Sequence, residues 1–413
     1  MSDIDIDINI RNKLLLDNNV DCPKITDDGY KTFGRGNEIK IPNKKNNQKN
    51  YRINVLVDTL DEFVKKDTNG ISNLEKYTEQ SINNVVKWSK TKTSIDKKVE
   101  IFSGDWGEIT LDVTKKYGHI YAVLNMANAY TVGGGYTSGS GAQEENMWRR
   151  SSCHFYAPIK YEKEQTDLIN GVKGLVELDM KPRVCIKGKE NKGLIGVEEI
   201  PTGYVHLDEK DYFPFWELKA AADNLRNDGK PDKPYNNTSM GRKIKAQFET
   251  MKQNRVRHCV LSAFGCGDFR NPSEKVAQLY KKYILEYINY FDHIVFAIYD
   301  YNGTTNYKIF VDNILTNDVK GNKEFIKHVQ LMLQHKILKN LYYLQLYDNT
   351  NDDLKHKLNE MYDHINTLNM SGGKYHNMYI KNKEKYIELD KNWYKTYFLN
   401  KQNYLNFVNS RNY

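Results

Sequence analysis

The stretch YAVLNMANAYTVGGGYTSGSGAQEENMWRRSSCHFYAPI, from Tyr121 to Ile159, decides the fold. Its opening run, Tyr121 to Leu124, reads as a buried strand and ends at the amide of Asn125. A strand that gives way to Asn and Gly stops at the rim of a sheet, where open α/β folds bind ligands in their loops. Asn125 and Asn128 are therefore expected at that rim. Gly133, Gly134 and Gly135 follow. Lacking a Cβ, they let the backbone take positive φ and approach a ligand closely, offering N–H groups to a diphosphate. The small, polar spacer Tyr136 to Ala142 then delivers Gln143, Glu144 and Glu145 to the start of a helix that continues through Met147, Trp148, Arg149 and Arg150. Two adjacent carboxylates beside an anion cradle repel a diphosphate unless they act on a nearby sugar, and a carboxyl kept protonated by burial serves as a general acid. The plainer reading puts both acids at a helix N-terminus because the macrodipole favours them there. That reading leaves the glycines without a purpose.

The second landmark is HCVLSAFGCGDFRNP, His258 to Pro272. A buried strand runs into Gly265, Cys266 and Gly267 ahead of a helix, an arrangement that presents amides to a phosphate. Taken alone, Gly-x-Gly is an ordinary tight turn. Phe269 either packs on the ribose or adenine side of a ligand or anchors its own loop.

Leu124-Asn125-Met126-Ala127, the triple glycine, the seven-residue spacer, Gln143-Glu144-Glu145 and Arg149-Arg150-Ser151 together resemble the signature of the microbial-type poly(ADP-ribose) glycohydrolases. The run from Gly265 to Pro272 is similar to that family's second diphosphate loop. Val132, where the family usually has proline, and Trp148 depart from the pattern without touching the chemistry. The resemblance covers Tyr51 to Leu315 and implies an α/β fold with a macrodomain-like three-layer α/β/α core. It also implies hydrolysis of O-glycosidic bonds in poly(ADP-ribose) or ADP-ribosylated protein. Glu145 would be the general acid and then the base, and Glu144 with Asn125 or Asn128 would hold ribose hydroxyls. Gly133 to Gly135, Gln143, Gly265, Cys266, Gly267 and Phe269 would bind the ligand, with no cofactor and no metal. The alternative is a non-catalytic ADP-ribose reader, for which the glycine loops suffice. The paired glutamates favour the enzyme.

Outside the landmarks, helical spacing of apolar residues over Tyr51 to Lys66 and around Ile82 to Trp88 predicts helices ahead of the sheet. Lys98 to Phe102 reads as a strand, and Trp106 to Val113 as the helix closing a strand–helix–strand unit on Tyr121. Val184 to Ile186 and Gly203 to Leu207 are strands flanking a turn, Gly188 to Gly196. Phe213 to Arg226 resembles the family's strand-end region, with Glu217 and Lys219 interrupting its apolar pattern and its aromatics expected in the core, and Asn227 to Ser239 is a loop. A helix through Val276 to Phe291, a strand His293 to Ile298 and a short helix Tyr307 to Leu315 complete the domain. The expected division is a mobile N-terminal arm (1–50), a catalytic domain (51–318) and a helical C-terminal extension (319–413). The extension holds a helical hairpin, Lys327 to Tyr347 and Leu354 to Leu368, then a Lys/Tyr-rich tail similar in composition to tails of giant-virus proteins. A Lys/Tyr stripe can track a nucleic-acid backbone, although such a stripe is more often a solvated helical face.

Composition adds little. The net charge of +8, from 61 Lys and Arg against 53 Asp and Glu, suits an anionic partner and serves solubility equally. Five cysteines, spread out and odd in number, read as reduced thiols of an intracellular, cytoplasmic protein. No apolar run approaches the length of a membrane span.

Overall fold

Alternation along the strands builds the core from both sides of one sheet. The computed structural model describes residues 24–25, 29–33, 38–42, 48–157, 175–195, 198–227, 229–300 and 305–315, and the readings of the C-terminal extension lie outside them. In chain order the elements are β1 (Lys24–Ile25), β2 (Tyr30–Thr32), β3 (Ile39–Lys40), α1 (Gln48–Val64), α2 (Asn73–Ser89), β4 (Val99–Ser103), α3 (Trp106–Tyr117), β5 (Tyr121–Met126) and α4 (Gln143–Arg150). There follow β6 (Val176–Cys185), β7 (Lys187–Ile195), β8 (Glu198–His206), β9 (Phe213–Ala220), α5 (Asn237–Gln253), β10 (His258–Leu261), α6 (Ser273–Tyr287), β11 (His293–Ile298) and α7 (Asn306–Ile314).

The central six-stranded sheet runs β4-β11-β10-β5-β9-β6. Its first five strands are parallel and β6 closes the edge antiparallel. Ala122, Leu124, Leu218, Cys259, Leu261, Ile294 and Phe296 face a cluster completed by α5, α6 and α7. The intervening Tyr121, Val123, Phe215, Val260 and Val295 face a second cluster completed by α1, α3 and α4. Side chains of period two on a strand buried on both faces leave no polar side, which is why these strands read as continuous apolar runs. The result is the expected three-layer α/β/α core.

The topology fixes where a ligand can bind. The chain leaving β5 carries α4, passes to the edge strand β6 and the hairpin β7–β8, and returns to β9 on one side, whereas the connection leaving β10 carries α6 and reaches β11 on the other. The adjacent pair β5 and β10 is thus the switch point of the sheet, and the crevice lies beyond their carboxyl ends. Both glycine loops leave from there.

Several expectations change. The turn over Gly188 to Gly196 is largely strand β7, paired antiparallel with β8. Within the arm, β1, β2 and β3 form a small sheet, and Phe33 and Ile39 are fully buried in the α1-side core, so this part is tied down by apolar burial. Helix α5 has no counterpart in the sequence reading. Its buried face mixes Met240, Ile244 and Phe248 with Lys243, whose Nζ donates to the Ala221 carbonyl, and Gln247, whose Oε1 accepts from Tyr280 Oη. Two buried polar residues disguise an apolar stripe. Four cysteines, Cys153, Cys185, Cys259 and Cys266, are free thiols.

Two buried histidines make stability depend on pH. His154 bonds the Phe33 carbonyl (2.8 Å) and Tyr136 Oη (3.0 Å), and burial pushes it down to about 4. His258 is pushed down to about 3 by burial and by His119, stacked on it at 4.0 Å. A depressed folded value means the unfolded chain takes up the proton first as pH falls. The stability is present above the unfolded value of about 6.5 and is lost toward the folded one, at about 1.4 kcal/mol per pH unit for each histidine. Thermal melts are expected to show a clear fall in Tm from pH 7.5 to pH 5, less steep in a His154→Gln variant. Parallel slopes for the two proteins would contradict the assignment.

Candidate active site

Helix α4 begins without a side-chain cap from Ala142. Its first three side chains turn back instead and bind the backbone that precedes them. Gln143 Oε1 accepts the Met126 N–H (2.9 Å) and its Nε2 donates to the Leu124 carbonyl (2.8 Å), stitching α4 to the end of β5. Glu144 Oε2 accepts the Asn128 N–H (2.8 Å) and Oε1 the Gly133 N–H (3.1 Å). Glu145 Oε1 accepts the Gly135 N–H (2.9 Å). The remaining glycine amide, of Gly134, donates to the Thr131 carbonyl (3.0 Å). The group wrapped by the triple-glycine loop is the protein's own pair of carboxyls.

That wrapping explains Gly134. With φ of +54°, it packs so closely that a Cβ would lie 2.5 Å from Glu145 Oε1 and 2.8 Å from Glu144 Oε2. The same geometry corrects three expectations. The amides of Gly133, Gly134 and Gly135 are committed within the protein and are not turned toward a diphosphate. Gln143 is a structural stitch, its amide spent on β5. Asn125 is fully buried inside the strand and not at its rim, whereas Asn128 folds its own Oδ1 onto the amides of Tyr130 and Thr131.

Both glutamates are nearly buried. Burial pushes the Glu144 carboxyl well up, helped by the charges of Glu145 and Glu217 and opposed by the N–H groups of Asn128 and Gly133. Glu145 differs in one atom: its Oε2 is buried and has no hydrogen-bond partner in the structure.

Beneath the glutamates lies a charged cluster that the sequence reading did not announce. Glu217, fully buried at the centre of β9, accepts from Asn125 Nδ2 (2.8 Å), Trp148 Nε1 (3.2 Å) and Arg183 Nε (3.3 Å). Burial alone would raise its carboxyl, but Lys219 and Arg183 hold it below the usual range. The signal was present as a Glu and a Lys interrupting an aromatic strand. At the other end of α4, Arg149 donates to the Ser140 carbonyl (2.6 Å), and Arg150 pairs with Asp105 (2.7 Å) with its guanidinium over the Trp106 ring. The arginines fasten the spacer and the helix.

The second loop leaves β10 beside this cluster. Gly265, at φ +73°, lies so near the end of β9 that a Cβ would come within 2.5 Å of Ala222 Cβ. Asn271 Nδ2 ties the loop by donating to the carbonyls of Gly265 (3.0 Å) and Asp223 (2.7 Å). Gly267 is exposed with open space around it, the surface at which a ligand can approach backbone. Cys266 is half-buried, its thiol pushed up to about 12 by burial, which makes it a packing residue and not a nucleophile. Phe269 packs on the core cluster and its carbonyl accepts the Leu225 N–H (3.1 Å), the loop-anchoring alternative for this side chain.

Residues 22–167 match the family model for the microbial-type PARG catalytic domain, a span that includes the triple glycine and both glutamates. Among solved structures, poly(ADP-ribose) glycohydrolase from Thermomonospora curvata is similar at 18% identity and a TM-score of 0.42, covering 64% of this chain and 99% of that one. The poly(ADP-ribose) glycohydrolase from Deinococcus radiodurans, in complex with ADP-ribose, is similar at 19% identity and a TM-score of 0.39, covering 57% and 91%. No curated protein matches the chain. Glu217 and the second glycine loop lie beyond the matched span, so their roles rest on geometry alone.

Proposed function

We propose, from the match of residues 22–167 to the microbial-type PARG catalytic domain, that the chain is a hydrolase that releases ADP-ribose by cleaving its O-glycosidic bonds. The observation that carries the residue assignment is the buried, unpartnered Oε2 of Glu145 at the switch point of the sheet.

Because Oε1 of Glu145 is occupied by the Gly135 N–H, the transferable proton belongs on Oε2. As the glycosidic bond breaks and the ribose gains oxocarbenium character, Oε2–H protonates the departing oxygen. The resulting carboxylate then takes a proton from the water that attacks the sugar carbon, restoring the acid. Glu144 shapes the site by holding the loop at Asn128 and Gly133. With the first glycine loop committed to the glutamates, diphosphate binding falls to the Gly265–Gly267 loop, where Gly267 is open. The substrate is an ADP-ribose polymer or an ADP-ribosylated protein.

Incubating the protein separately with poly(ADP-ribose) and with mono-ADP-ribosylated protein, and measuring free ADP-ribose, distinguishes the substrates. Release from polymer is the expected result. Calorimetric binding of ADP-ribose without release from either substrate would replace the hydrolase by a reader.

A further inference from the structure

Charge is not spread evenly over this chain. Four parallel strands, β4, β11, β10 and β5, lie side by side and begin at the end of the sheet opposite the crevice. The segments that lead into them, 87–98, 290–292, 252–257 and 115–119, hold ten Lys and Arg against two acids, Asp96 and Asp292. That excess equals the net charge of +8 of the whole chain, so the other residues balance one another. The four segments are joined into one surface. The Thr93 N–H donates to the Lys116 carbonyl (2.8 Å), the Ile294 N–H to the Lys98 carbonyl (2.7 Å) and the Asp292 N–H to the Arg257 carbonyl (2.9 Å), while the His119 ring stacks on His258 at 4.0 Å. Asp208, Glu209 and Asp211, which precede the next strand β9, bound the surface on that side.

Little of this charge is neutralised locally. Lys115 pairs with Asp211 and Arg257 with Asp292, but Lys87, Lys90, Lys92, Lys97, Lys252 and Arg255 are exposed and form no ion pair among the described residues. Arg255 is the most telling of them. It follows the C-cap of α5 at φ +62°, the left-handed position that glycine usually takes at a helix end. The helix dipole favours a cation there, and Lys252 in the last turn already supplies one. A second cation on unfavourable backbone serves something outside the helix.

Concentrated positive charge fits a polyanion, and the other groups at this end narrow the class. Single strands bind by stacking their bases on open aromatic faces, and the adenines of an ADP-ribose chain would need the same. Here the rings are covered by cations: Lys115 over Trp88 at 5.8 Å, Lys116 over Tyr117 at 4.8 Å and Arg257 over Tyr290 at 5.5 Å. The most exposed aromatics among the described residues, Tyr130 and Tyr299, lie past the carboxyl ends of β5 and β11, at the other end of the sheet. Nor do the four segments carry an exposed large apolar residue that would enter a membrane. Charge without stacking or apolar contact matches the phosphates of a duplex, whose bases are turned inward. We propose that the amino end of the sheet docks double-stranded nucleic acid through its phosphates, without reading sequence. The length of β5 puts this surface about 20 Å from the crevice, so a bound duplex leaves the ADP-ribose site free.

The test is fluorescence anisotropy of the full chain with a labelled DNA duplex of about 20 base pairs, at salt from about 50 to 200 mM. Six unpaired cations predict a slope of log K against log salt of about −5, the same for two unrelated sequences. Lys90→Glu/Lys92→Glu/Lys97→Glu is expected to weaken binding about tenfold or more and to flatten that slope by about two. Arg255→Gly removes one phosphate contact and relieves the left-handed position. It is expected to bind the duplex about threefold more weakly while melting no lower than wild type, a combination that a merely structural role would not give. Excess ADP-ribose is expected to leave duplex binding unchanged. Binding that is equal in wild type and both variants would place the contact on another Lys-rich part of the chain and overturn the proposal. So would the absence of binding by wild type, displacement of the duplex by ADP-ribose, or tighter binding of a single strand, of poly(ADP-ribose) or of phosphatidylserine vesicles than of the duplex. If the triple variant does not fold, Arg255→Gly and the salt slope decide the matter. None of these readouts depends on turnover, so the hydrolase reading stands or falls separately.

Discussion

Replacing Gly134 with valine is expected to reduce ADP-ribose release by about a hundredfold or more while the sheet stays folded. The Cβ would arrive 2.5 Å from Glu145 Oε1 and 2.8 Å from Glu144 Oε2, and φ of +54° is unfavourable for a β-branched residue. Either the loop or the two carboxylates must move, and a displacement of about 1 Å in a catalytic group costs on the order of a hundredfold. The core is not touched, since Gly134 contacts the site and not the apolar clusters. Circular dichroism and a melting curve establish that the variant folds, and a rate assay checks the loss. A folded Gly134→Val variant with wild-type turnover would show that the loop and the carboxylates are not coupled as described.

Glu145→Gln is expected to lose about a hundredfold or more in rate with ADP-ribose affinity retained. The amide oxygen can keep the Gly135 N–H bond, now 2.9 Å, and the NH2 takes the place of Oε2, so the size and the loop contact survive while the acidic proton is gone. Glu144→Gln makes an instructive contrast. Both Glu144 oxygens accept backbone N–H groups, so an amide NH2 there must face a donor, and the loop is pushed open. Its loss is therefore expected in affinity as well as in rate. Calorimetry beside kinetics separates the two, and equal affinity losses in both variants would contradict the division of roles.

Much of this was legible in the chain. Strands buried on both faces write themselves as apolar runs, and β5, β10 and β11 were found that way, as were the helices α1, α3 and α6 with regular apolar spacing. The order of glycines, spacer and glutamates located the site because backbone approach and carboxylate chemistry each demand those residue types. What the sequence did not reveal was direction. Three glycines in a row read as a cradle for a foreign anion, and nothing local says that Glu144 and Glu145, ten or eleven residues downstream, turn back to fill it. Glu217 was hidden for a related reason. An acid in an aromatic strand looks like a flaw in the pattern until Asn125, Trp148, Arg183 and Lys219 arrive from other elements to satisfy it. Likewise α5 was concealed by Lys243 and Gln247, whose partners come from outside the helix. Long-range polar satisfaction leaves no periodic trace.

The most direct measurement is a time course of free ADP-ribose from purified poly(ADP-ribose), run with wild type and with Glu145→Gln at matched, saturating binding. The expected result is steady release by wild type and about one-hundredth of that rate or less by the variant, with both proteins binding ADP-ribose. Binding without release by wild type, or equal release by the two proteins, would contradict it.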